Sequence, residues 1–180
     1  MLFLTAVLAL AACTNDASHE RAGTAPTSAT DQVEASSAPT AEASASVTPP
    51  TEQKPIASTR GDKGIVGEVY RVQRKDGVLT VWAGAKNTGA ASYLPVNWRN
   101  GNDPYTLAGS SVVDSKNSKR YMALLDSSGK CLCSEKLGDA IEPGETRPLY
   151  VQFQAPPQDV TEGDLQLGNM QVVTIAIPGV

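Results

Sequence analysis

The chain has 180 residues, with 15 Lys and Arg against 19 Asp and Glu and a net charge of −4. That balance lacks the basic surplus on which nucleic-acid binding rests, and the length predicts one domain once N-terminal processing is allowed for. The single histidine, His19, lies in a polar N-terminal stretch. The part of the chain expected to fold therefore has no imidazole for Ser-His-Asp or Cys-His catalysis, nor for a His-bearing zinc site.

Met1 to Ala12 is apolar except for Thr5, and it ends in Leu10-Ala11-Ala12-Cys13. An apolar run with small residues at its end is the layout of a secretory signal. Twelve residues are too few for a membrane-spanning helix, which needs about 20 to cross roughly 30 Å. The sequence around Cys13 resembles the lipobox of bacterial lipoproteins. That resemblance implies removal of residues 1–12, lipidation of Cys13, and anchoring to the outer face of the cell membrane. The usual basic n-region is missing, because no Lys or Arg precedes Arg21.

Residues 13–60 read as a tether dominated by Ala, Ser, Thr, Pro and Glu, with Val33, Val47 and Ile56 as the large apolar residues and no period of 2 or 3.6. Such a composition buries too little apolar area to offset the entropy of ordering. As a flexible coil its ~47 residues span roughly 35–40 Å.

From Gly61 the texture becomes that of strands and turns, with 15 Gly and 12 Pro in the chain. Ile65 to Arg74 predicts a strand in which Gly64 and Gly67 mark a bend or bulge. Asp76-Gly77 turns it into a second strand, Val78 to Lys86. Leu79, Val81, Ala83 and Ala85 should share one face of that strand, with Thr80, Trp82 and Gly84 on the other. Further strands are predicted at Leu107 to Asp114 and Lys119 to Leu125, the latter turning at Asp126 to Gly129 into Lys130 to Cys133. Pro143-Gly144 has the chemistry of a type II turn. It leads into Arg147 to Ala155, where Pro148 suggests an edge position. Met170 to Ile177 is the last strand. About seven short strands at such spacing predict an all-β, immunoglobulin-like β-sandwich over residues 61–180, with a barrel as the alternative.

The run Thr80 to Gly89, ending in Asn87-Thr88-Gly89, resembles a strand of secreted immunoglobulin-like domains in bacterial lipoproteins. Ile141 to Glu145, followed by Leu149 to Phe153 and Pro156, is similar to their later hairpin. The segment Lys119 to Ser134, with its Cys131-Leu132-Cys133, resembles a domain of actinobacterial secreted lipoproteins sometimes found ahead of an OmpA-like domain. The resemblance spans about residues 65 to 178 and implies a fold and an extracytoplasmic location. The chain ends at Val180 without an OmpA-like domain, so peptidoglycan binding is not carried over.

Cys131 and Cys133 are the first candidates for chemistry. In a regular strand the Cα atoms of residues i and i+2 lie nearly 7 Å apart, at the outer limit for a disulfide. A bond between them therefore requires a local kink. The alternatives are a thiolate pair for a soft ion such as Cu(I), with Met122 or Met170, and free or intermolecularly bonded thiols. Lys116, Lys119, Arg120 and Lys130 form a basic cluster that either meets an anionic polymer or is simply solvated. The second reading accords with twelve Lys and Arg against thirteen Asp and Glu from Gly61 onward. Trp82, Trp98, Tyr93 and Tyr105 are candidates for a binding face or for a core plug. Asp103, Asp114 and Asp126 read as turn formers rather than Ca²⁺ ligands.

These observations predict a membrane-anchored, non-catalytic extracytoplasmic module that meets a protein or cell-envelope partner. Its surface would include Trp82, Trp98, Tyr105, Lys119 and Arg120, and no cofactor is predicted. The alternative is a small-ligand or soft-metal lipoprotein that uses Cys131 and Cys133.

Overall fold

The computed structural model describes residues 53–101 and 104–179. Among them are eight strands and no helix: β1 (Ala57–Arg60), β2 (Ile65–Lys75), β3 (Val78–Asn87), β4 (Ser111–Asp114), β5 (Lys119–Met122), β6 (Thr146–Gln154), β7 (Glu162–Gln166) and β8 (Val173–Ala176). They form two antiparallel sheets, ordered β1-β2-β3-β6 and β5-β4-β7-β8. Two hairpins of the second sheet, β4-β5 and β7-β8, are separated in sequence by β6 of the first. With β2 taken as the first strand of the fold, this is an immunoglobulin-like Greek-key sandwich with β1 added outside it.

The predicted β2-β3 hairpin forms where expected. Asp76 and Gly77 both take positive φ, 51° and 76°, which matches a two-residue turn between strands of right-handed twist. Leu79, Val81, Ala83 and Ala85 are all fully buried. Pro148 lies on β6, the last strand of its sheet, where a residue without an N–H is tolerated.

The bulge in β2 falls elsewhere than predicted. The register with β3 shifts between Val69 and Arg71, not at Gly67. Gly67 instead makes room for packing, since a Cβ there would lie 2.7 Å from the Met170 sulfur. The tether also ends earlier than predicted. Ala57–Arg60 pair with Val66–Val69 as β1, and tertiary pairing rather than local pattern makes them a strand. β7 was not predicted at all, because Glu162-Gly163-Asp164 carries low strand propensity. Residues 130–133 form isolated bridges rather than a strand. Cys13, His19, Asp103 and most of the tether lie outside the described residues.

Both sides of the sandwich are closed between the sheets. On one, Gln171 N–H donates to the Arg60 carbonyl at 2.8 Å, and the Thr59 hydroxyl donates to the Gln171 carbonyl. On the other, Ala123 and Cys133 bridge to Phe153 and Val151 of β6.

Trp98 fills the interior with no exposed surface, its ring 5.8 Å from that of Tyr93. It fits because Gly168 has no side chain, a Cβ there falling 2.6 Å from the indole Cγ. Asn87, also fully buried, ties the end of β3 to two loops. Its amide donates to the carbonyls of Ala91 and Ile141 at 2.9 and 2.7 Å and accepts from Gly89 N–H at 2.9 Å. The Asn-x-Gly motif is thus a structural clamp.

Candidate functional site

The bulge in β2 places two successive residues, Tyr70 and Arg71, on the outer face of the first sheet, where simple alternation would place only one. A bulge commonly re-aims side chains in this way. The Tyr70 ring lies across Gly84 of β3, 3.0 Å from where a Cβ of that glycine would sit. Its hydroxyl donates to Glu68 at 2.6 Å. The Arg71 guanidinium stacks over the Trp82 ring at 4.3 Å. Trp82 is paired directly with Tyr150 of β6. Tyr70, Trp82 and Tyr150 are each half-buried, so each exposes part of a ring to solvent.

Polar side chains border these rings. Arg71 reaches Gln73 at 2.5 Å, and the Gln152 amide lies 3.5 Å from the Thr80 hydroxyl. Burial, with the hydrogen bond to Glu68, pushes the Tyr70 hydroxyl up to about 12 from its ordinary 10.0, so the phenol is neutral and acts as a donor through the physiological range. The patch combines aromatic area, one guanidinium and several amide and carboxylate groups.

The structure divides the predicted surface residues. Trp82 belongs to this face. Trp98 does not, because it is fully buried as the core plug. Tyr105 sits on the loop before β4, 38% exposed and with φ +64°. Lys119 and Arg120 are on β5 in the other sheet. The Lys119 ammonium lies over the Tyr121 ring at 4.8 Å, and Arg120 donates to the Ser111 hydroxyl at 2.8 Å. Tyr70, Arg71 and Tyr150 are members of the face that sequence reading missed. The bulge that brings the first two together has no local signal in Val69-Tyr70-Arg71.

Lys116, Lys119 and Arg120 of the predicted basic cluster share the β4-β5 hairpin. Lys116 is paired with Asp159 at 2.5 Å, and that hydrogen bond holds the Asp159 carboxyl below the usual range. The pair borders a cleft of about 410 Å³ that also includes Glu162, Asp164 and Thr174. Asp114 is fully buried and accepts from the backbone and side-chain nitrogens of Asn117 at 3.0 and 2.7 Å. Asp126 accepts from Ser128 and Lys130 across its own turn. Both acids are committed to turns.

Cys131 and Cys133 form a disulfide with their Cα atoms 5.2 Å apart, nearer than in a regular strand, so the kink required between them is present. With its sulfurs bonded to each other the pair offers no thiolates to a soft ion in this state. Of the two methionines considered with it, Met170 is buried beside Gly67 and Met122 is 43% exposed on β5. Among the described residues no group of three or more His, Cys, Asp or Glu is placed to hold a metal ion.

The described residues thus define an all-β, immunoglobulin-like sandwich with an aromatic outer face. No protein-family model and no curated protein matches the chain. Among solved structures it is similar to MPT63, a secreted protein from Mycobacterium tuberculosis, at 15% sequence identity and a TM-score of 0.42, over 68% of this chain and 98% of that one.

Proposed function

We propose that the chain is a non-catalytic extracytoplasmic module, held to the outer face of the cell membrane by lipid on Cys13, that binds an envelope protein through the outer face of its first sheet. The convergence of Tyr70, Arg71, Trp82 and Tyr150 on that face carries the reading. Trp, Tyr and Arg are the residues that dominate protein-protein binding energy when they are desolvated together. The lipobox resemblance at Leu10 to Cys13 and the tether after it support the location.

Two experiments test it. Intact mass of the expressed protein should show an acyl adduct that Cys13→Ala abolishes; an unmodified Cys13 overturns the anchoring. A photo-crosslinking residue at Gln73, beside Trp82, should capture one protein in intact cells, and Trp82→Ala should reduce the yield. The same crosslinker at Thr174 in the second sheet should capture none. Equal capture from both positions, or adducts that contain no protein, overturns the assignment of the face.

A further inference from the structure

A separate observation concerns the edge of β6. In that strand the main-chain groups of Tyr150 and Gln152 face away from β3, and all four are taken by the segment from Leu124 to Ser134. Leu124 N–H donates to the Gln152 carbonyl at 2.8 Å, and Gln152 N–H donates to the Leu132 carbonyl at 3.0 Å. Ser134 N–H donates to the Tyr150 carbonyl at 2.9 Å. The fourth position is irregular. Tyr150 N–H is satisfied by the Ser134 hydroxyl at 2.8 Å, while the Ser134 carbonyl is used by Leu107 N–H at 3.0 Å.

The disulfide sits inside this cover. Its Cα atoms are 5.2 Å apart, whereas an extended pair would be nearly 7 Å apart. Relaxing the kink displaces Ser134 by more than an ångström, beyond hydrogen-bond reach of Tyr150 N–H from its present position. The two arms of the hairpin meet β6 through isolated bridges and not a continuous ladder, so beyond these hydrogen bonds the hairpin is held mainly by the core packing of Cys131 and Cys133.

We propose that the Cys131–Cys133 disulfide locks the Leu124–Ser134 hairpin over the edge of β6, and that reducing it frees that edge to pair with β6 of a second copy of this chain. An uncovered strand edge is a template for strand addition. This one is self-complementary. In an antiparallel pair with a two-fold axis at Val151, Tyr150 of one copy meets Gln152 of the other, and their four outward groups per copy are mutually satisfied. Pro148 lies in the same row and contributes no donor, so it confines the new ladder to this centre. Both half-cystines are buried, at 5% and 0% exposure, so a reductant gains access only as the hairpin lifts. Opening is a two-electron step. Dithiothreitol supplies two electrons and two protons, and its sulfurs close to a cyclic disulfide as Cys131 and Cys133 become thiols.

The experiment uses the purified full chain carrying Cys13→Ala, with and without dithiothreitol, and the same chain with Cys131→Ser/Cys133→Ser, which has no cysteine left to form an intermolecular disulfide. Mass in solution should double on reduction and be doubled already in the variant, with the β-sheet circular dichroism unchanged. At concentrations too dilute for pairing, amide exchange at Tyr150 and Gln152 should speed up on the order of 100-fold, as local opening produces. Gln152→Pro, which removes one edge-facing N–H as Pro148 already does, should keep the reduced chain monomeric. A reduced chain that stays monomeric with both amides protected overturns the proposal. So does a dimer that survives Gln152→Pro, and so does global unfolding on reduction, which would make the disulfide a staple of the whole fold.

Discussion

Arg71 lies over Trp82 at 4.3 Å only because a bulge displaces it from the alternation that the rest of β2 follows. Ile65, Gly67 and Val69 point inward before the bulge, and Val72 and Arg74 after it. The two residues between, Tyr70 and Arg71, are both turned out. One backbone irregularity therefore builds half of the aromatic face, and the face is a property of register more than of composition.

The two tryptophans should separate sharply under substitution. Trp98→Ala empties a fully enclosed site and should cost about 3–5 kcal/mol, enough to bring the domain near its unfolding limit. Trp82→Ala removes a half-exposed ring and should cost about 1 kcal/mol. Urea denaturation of both variants checks this, and comparable losses would contradict the assignment of one to the core and the other to the surface.

Asn87→Ala should destabilise the domain by about 2 kcal/mol, since it strips one buried and two part-buried hydrogen bonds from a fully buried side chain. The loss should appear in the denaturation midpoint with an unchanged slope. Asn87→Asp should not rescue it, because a carboxylate cannot donate to the carbonyls of Ala91 and Ile141.

Two glycines with positive φ should respond differently to alanine. Gly77 has open space around it, so Gly77→Ala pays only the left-handed backbone cost, about 1 kcal/mol. Gly168 combines φ +54° with a Cβ position 2.6 Å from the Trp98 Cγ, so Gly168→Ala should add an overpacking penalty and reach about 3 kcal/mol in total. Thermal unfolding of the pair gives the comparison directly.

Alkaline pH should weaken the domain through Tyr70. Its folded pKa of about 12 lies above the ordinary 10.0, so the folded state holds this proton more tightly than the unfolded state does. The contribution is complete below pH 10 and is lost as pH rises from 10 to 12. Denaturation across that interval should show a steeper decline for the parent chain than for Tyr70→Phe. Equal slopes would remove Tyr70 as a source of the dependence.

Much of the fold was legible along the chain. The Asp76-Gly77 hairpin, the inward face of β3, the edge position of β6 and the turn at Pro143-Gly144 each depend on residues within a few positions of one another. Here Gly144 takes φ +84° and Glu145 N–H donates to the Glu142 carbonyl at 2.9 Å. What was missed depends on distant partners. β1 is a strand because β2 lies beside it, and β7 because β4 and β8 flank it.

The sequence by itself determined an all-β sandwich, because turn chemistry and two-residue alternation are written locally. The tertiary structure alone decided which tryptophan is buried, which residues share the outer face with Trp82, and what the disulfide covers. Those are outcomes of register and of packing between sheets, where one bulge or one kink changes the neighbours of a side chain without any mark in the residues around it.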